Sequence, residues 1–101
     1  MDKQQFSKKE QLYSAFLQLR TTEEVAAFCR DLMTEAEIAE FAGRLAVAIE
    51  LDKGKPQRQV SLETGVSIAT VTRVNQWLLR GMNGYKTVLS RLSHHHPQLG
   101  G

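Results

Sequence analysis

The chain of 101 residues is 42% apolar and 24% charged, with a net charge of +2. These proportions fit one globular domain and exclude a disordered chain, and no apolar stretch approaches the ~20 residues that span a bilayer. The segment Met1-Asp2-Lys3-Gln4-Gln5 lacks the apolar centre of a signal peptide, so the expectation is a cytoplasmic protein with no membrane partner.

Strand signals are absent and helical periodicity runs throughout, which predicts an all-α fold of about six helices. Residues 4–19 place Leu12, Tyr13, Phe16, Leu17 and Leu19 on a broad apolar face. Thr21 and Glu24 have capping-box spacing and open a second helix with a stripe of Val25, Phe28, Cys29 and Leu32. Cys29, the one cysteine, cannot form an intrachain disulfide and reads as a buried thiol within that stripe. Thr34 and Glu37 repeat the capping-box pattern and open a long helix to about Lys53, which carries Ile38, Phe41, Ala42, Leu45, Ala46 and Ile49. Gly54 ends it, and Pro56 suits the first turn of the next helix.

Residues 57–64 and 67–80 read as the two helices of a helix–turn–helix, the motif proper spanning 57–79. Small Ser61 stands where two helices cross closely. Gly65 supplies a turn that calls for positive φ. Ser67 caps the next helix through its hydroxyl. Val60, Val66, Val71 and Val74 point inward and hold the two helices at a fixed angle. Ser67, Ile68, Ala69, Thr70, Thr72 and Arg73 then occupy the first turns of the second helix, from which a recognition helix reaches base edges. The other meaning of this pattern is a helical hairpin that binds protein.

A turn at Gly81-Met82-Asn83-Gly84 leads to a last short helix with Tyr85, Val88, Leu89 and Leu92. Residues 1–92 are read as a single DNA-binding domain and residues 93–101 as a mobile tail. Three consecutive histidines, His94 to His96, cannot all face one ion from a regular helix, and no acid or cysteine stands near them, so no metal site is expected. With every histidine in the tail, no nucleophile–base arrangement is available and the chain is not read as an enzyme. Glu35, Glu37, Glu40 and Glu50 read as a solvated acidic face.

Charge is unevenly placed. From residue 53 to 91 the bases are Lys53, Lys55, Arg58, Arg73, Arg80, Lys86 and Arg91, against the single acid Glu63. The basic half coincides with the helix–turn–helix, as a phosphate-facing surface requires. Six helices in a chain of this size give a thin core. The wide apolar faces outside the motif, with Phe6, Phe16, Phe28 and Phe41, suit a homodimer. Such a dimer would set two recognition helices about 34 Å apart on one side of DNA.

Several stretches between Leu32 and Leu79 carry a resemblance: Leu32-Met33-Thr34, Gly43-Arg44-Leu45, Gln57-Arg58, Gly65, and Ile68-Ala69-Thr70-Val71-Thr72-Arg73. Together they resemble the Trp repressor family. The resemblance implies an intertwined all-α homodimer that binds a palindromic operator in double-stranded DNA as a transcriptional regulator, with repression the family expectation. It implies DNA contacts at Gln57, Arg58, Ile68, Ala69 and Thr72. The residue types agree: Ile68 and Ala69 can touch a thymine methyl, Thr72 can hydrogen-bond a base or phosphate, and Arg58 can meet phosphate or a guanine edge. A base contact is worth ~1–3 kcal/mol, and in this family water often mediates it.

In the family's tryptophan-binding branch, Thr34, Arg44 and Arg73 match residues that hold an L-tryptophan corepressor. Guanidinium groups suit both an aromatic face and a carboxylate. Two positions depart from that branch: Val74 replaces a glycine that makes room, and Trp77 replaces a small serine. Either tryptophan binds in a shifted pose, or Val74 and Trp77 fill the pocket and no cofactor is required. The added bulk favours a tryptophan-independent regulator. A tryptophan-activated repressor and a protein-binding helical module without a DNA role are the alternatives.

Overall fold

The computed structural model of the chain describes residues 6–95, with side-chain surroundings through Leu92. Six helices follow in order: α1 (Lys8–Phe16), α2 (Thr22–Leu32), α3 (Glu35–Asp52), α4 (Gln57–Thr64), α5 (Ile68–Arg80) and α6 (Gly84–His95). The fold is therefore all-α, and no helix among the described residues is long and apolar enough to cross a membrane. The chain divides into two compact units, residues 1–38 and 39–101.

In the first unit the helix starts are set by side-chain caps. Ser7 accepts the Glu10 N–H at 3.1 Å, while the Glu10 carboxylate accepts the Ser7 N–H at 2.9 Å. This reciprocal pair starts α1 at Lys8, later than the apolar pattern suggests. Thr21 caps α2 through the Glu24 N–H, but the Glu24 carboxylate takes the N–H of Arg20, one residue further back. Thr34 and Glu37 form the full reciprocal box that opens α3. Phe16 and Phe28 meet edge-on, ring centres 5.2 Å apart, and join α1 to α2. Neither helix has a fully buried residue. Cys29 is only half-buried, so its thiol is less enclosed than its place in the apolar stripe suggests.

The core lies in the second unit. Val47, Ala48 and Leu51 of α3, Val60 of α4, Val71, Val74 and Leu78 of α5, and Leu89 of α6 form one buried cluster. Leu45, Ile49, Val66, Tyr85 and Leu92 pack around it. Short aliphatic side chains fill it, so helices can approach closely, and each valine loses little rotamer freedom. Gly81 ends α5, donating its N–H to the Trp77 carbonyl at 2.9 Å, and a Cβ placed there would collide with that same oxygen. Helix α6 continues through His95, so the first residues of the segment read as a tail are helical, while 96–101, including His96, lie outside the described residues.

Candidate nucleic-acid interface

The turn between α4 and α5 is built by a closed set of hydrogen bonds. Gly65 closes α4 in the left-handed region, φ 76°, and donates its N–H to Ser61 O. The Ser61 hydroxyl crosses the turn and donates to Val66 O at 2.6 Å. Thr64 Oγ1 donates to Val60 O at 2.7 Å and accepts the Val66 N–H at 3.3 Å. These bonds occupy polar groups that the turn would otherwise leave bare. Val66 is thereby held against the core, and Ser67 is delivered to the start of α5, where its Oγ accepts the Thr70 N–H at 3.2 Å.

With Val71 and Val74 anchored inward, the opposite side of the first two turns of α5 faces solvent. Ser67, Ile68, Ala69, Thr72 and Arg73 are exposed, while Thr70 is half-buried. Ile68 is 50% exposed, which sets it apart from the core valines of the same helix. Thr70 serves the cap twice, because the Ser67 hydroxyl also donates to Thr70 Oγ1 at 3.1 Å. On α4, Gln57 is half-buried and Arg58 exposed. Pro56 occupies the position before Gln57 and gives no side-chain cap, so the first N–H groups of α4 are left to solvent or an external acceptor.

The charges of this unit fall into two sets. Lys55 bridges Glu50 at 2.6 Å and Glu63 at 2.7 Å, Lys53 meets Glu50 at 3.1 Å, and Arg44 meets Glu40 at 2.6 Å. The Lys55 ammonium holds the Glu50 and Glu63 carboxyls below their ordinary range, and those carboxylates raise Lys55 in turn. By contrast, Arg58, Arg73, Arg80 and Lys86 have no acidic partner among the described residues. Within residues 39–101, the cations without an acidic partner among the described residues therefore lie on α4, α5 and α6. The acids read from sequence as a solvated face are each engaged: Glu35 with Arg30, Glu37 in the α3 cap, Glu40 with Arg44, and Glu50 with two lysines.

The five residues singled out as a corepressor pocket have separate roles. Thr34 caps α3. Arg44 pairs with Glu40 and stands 5.5 Å from the centre of the Phe41 ring, so it is engaged twice on its own helix. Val74 is 2% exposed and part of the core. Arg73 is exposed. Trp77, 58% exposed, borders an apolar hollow of about 550 Å³ shared with Leu45, Met82, Tyr85 and Val88. A hydrogen bond from Thr72 Oγ1 to Gln57 Oε1, 2.8 Å long, links α5 to α4. Both residues were candidate contacts, but nothing in a linear pattern pairs positions so far apart.

Comparison with known proteins agrees with this geometry. The Trp repressor protein family profile matches residues 7–93. The uncharacterized protein YerC of Bacillus subtilis is 37% identical over 92 residues, covering 91% of this chain and 88% of that protein. The crystal structure of a TrpR-like protein from Eubacterium eligens superposes with a TM-score of 0.80 at 32% identity, covering 91% of this chain and 96% of that one. A Staphylococcus aureus protein provisionally described as a Trp repressor superposes with a TM-score of 0.82 at 33% identity, covering 90% of this chain and 91% of the other. A family match across nearly the whole described chain, together with the glycine-turned α4–α5 pair, shows that this chain belongs to the Trp repressor family.

Proposed function

We propose that the protein is a sequence-specific DNA-binding transcriptional regulator, a repressor acting as a homodimer on a palindromic operator without needing L-tryptophan. Family membership supports the DNA-binding part. The observation that carries it is the division of charge: Glu40, Glu50 and Glu63 pair with Arg44, Lys53 and Lys55, whereas Arg58 and Arg73, on the two helices of the motif, have no acidic partner among the described residues. Unpaired cations beside an exposed Ile68, Ala69 and Thr72 suit a surface that is positioned by phosphates and reads base edges.

Dimerisation is supported by the α1–α2 unit. Tyr13 is 61% exposed, Leu17 83%, Val25 38% and Leu32 47%. Apolar faces of this extent on helices without a buried residue call for cover, and a second copy would supply it in a family whose operators are read by two recognition helices. No helix among the described residues is long and apolar enough to cross a membrane, and a cytoplasmic location fits a DNA-binding role.

Independence from tryptophan is supported by Arg44 and Val74. An arginine already held by Glu40 and Phe41 must break those contacts to receive an amino-acid ligand. Val74 fills space in the core that a glycine would leave open. The test is selection of fragments from the source genome by the purified protein at near-physiological salt, with and without L-tryptophan. Equal enrichment of one palindrome in both conditions is expected. Enrichment only with tryptophan would refute independence, and no enrichment of any duplex would refute the DNA-binding reading. The affinity should fall linearly on a log–log salt plot, with a slope near −0.9 per phosphate neutralised.

A further inference from the structure

Gln57 opens α4, and Thr72 lies in the second turn of α5. Their 2.8 Å hydrogen bond spans 15 positions, the longest separation of any side-chain-to-side-chain bond among the described residues. In sequence the two residues flank fully buried positions of the motif, Val60 one turn after Gln57 and Val71 next to Thr72. Gln57 is half-buried, so its side chain is not free to sweep through solvent.

A carboxamide has two chemically different ends. Its oxygen accepts and its NH2 group donates twice, whereas a threonine hydroxyl has one proton to give. The donor here is Thr72 Oγ1 and the acceptor is Gln57 Oε1. With Oε1 engaged, Gln57 presents Nε2 and its protons to an approaching ligand. With its own proton committed, Thr72 retains only lone pairs and no longer suits a phosphate oxygen, which itself can only accept. We infer that Thr72 is a positioning residue that orients the Gln57 carboxamide, so that its Nε2 donates to hydrogen-bond acceptors on DNA. The functional half of this inference rests on the DNA-binding reading above. Two acceptors share this chemistry, a phosphate oxygen and a base-edge atom such as purine N7.

Two measurements on the full chain test it. The first is NMR of the Gln57 side chain in free protein. One ordered rotamer is expected in the parent protein and in Thr72→Ser, and rotamer averaging in Thr72→Val. The second is affinity for the selected duplex and for a shuffled duplex of equal length. Thr72→Val and Gln57→Ala should each weaken binding about three- to tenfold, the range of a single hydrogen bond. The double variant should be no weaker than the worse single, and Thr72→Ser should restore the parent affinity. An equal loss on both duplexes would identify the acceptor as phosphate, and a loss confined to the selected duplex would identify a base edge; either upholds the inference. Additive losses, failure of serine to rescue, or an averaged Gln57 in the parent protein would overturn it. If the parent protein binds no duplex, the reader role falls together with the DNA-binding reading, and the NMR arm still decides whether Thr72 orients Gln57.

Discussion

Arg44 reaches back one turn to Glu40, Nη2 to Oε2 2.6 Å, while its guanidinium stands 5.5 Å from the centre of the neighbouring Phe41 ring. An i, i+4 pair with side chains 38% and 56% exposed adds little stability, within about 0.5 kcal/mol. Its consequence is one of occupancy: the cation already has an anion and an aromatic face, the two features that a bound amino acid with an indole would offer. Calorimetry of the parent protein with L-tryptophan should show no saturable heat. The Val74→Gly/Trp77→Ser double variant should gain measurable binding of an indole ligand. A silent titration with that folded variant would mean that bulk at these two positions is not what closes the site.

Val74 sits in the core at 2% exposure beside the fully buried Val71 and Val60. Val74→Ala should lower unfolding stability by about 2–3 kcal/mol, from lost methyl burial and the residual cavity. Denaturant titration should show a lower midpoint with an unchanged slope. A loss below about 0.5 kcal/mol, the range of a surface substitution, would mean that the site collapses or is not enclosed.

Gly65 tests the turn. Its φ of 76° lies in the left-handed region, and no atom lies within 4 Å of an added Cβ. The cost of Gly65→Ala is therefore one of backbone conformation alone, about 1–2 kcal/mol. Gly65→Asn should cost less, since asparagine tolerates that conformation. Equal losses for the two would show that the penalty is not conformational.

Lys55 joins the end of α3 to the last turn of α4 through Glu50 and Glu63. Hydrogen bonding and charge from Lys55 hold both carboxyls below 4.5, the larger influence on Glu50 being Lys55 and the next Lys53. A carboxyl whose folded value is depressed stabilises the fold fully above its unfolded value, and that contribution is lost as pH falls through the folded one. The raised value of Lys55 has the opposite sense: its contribution is present below 10.5 and lost as pH rises through the higher folded value. The stability difference between the parent protein and Lys55→Met should thus be level near neutral pH, and should shrink on acidification below 4.5. A difference that persists unchanged to strongly acidic pH would assign the loss to packing of the lysine stem instead.

Local rules were enough to find most helix ends. Thr34 with Glu37, and Ser67 before Thr70, are spacings of three that bring a hydroxyl to a bare N–H, and both caps form. The inward side chains of α5 follow from helical period, since Val71, Val74 and Leu78 lie along one face. Less legible was anything that depends on where a long side chain turns. Glu40 and Arg44 stand at the i, i+4 spacing of a helical ion pair, whereas the joining of Glu50 and Glu63 through Lys55 depends on where the α3–α4 linker brings that lysine. Trp77 illustrates the same limit: position alone left it between a ligand site and an anchor, whereas the fold places it at the rim of a hollow with Tyr85 and Val88. The start of α1 at Lys8 is not legible in the apolar pattern, which says nothing about Ser7, whose cap decides it.

Helices α1 and α2 fully bury no side chain; Phe16, Phe28 and Cys29 are only half-shielded. A layer with no interior draws its order from whatever covers it. Order borrowed from a second copy obeys mass action, rising and falling with the number of copies present. A regulator made this way would register its own abundance: dilution would loosen its helices and unseat it from DNA in the same step.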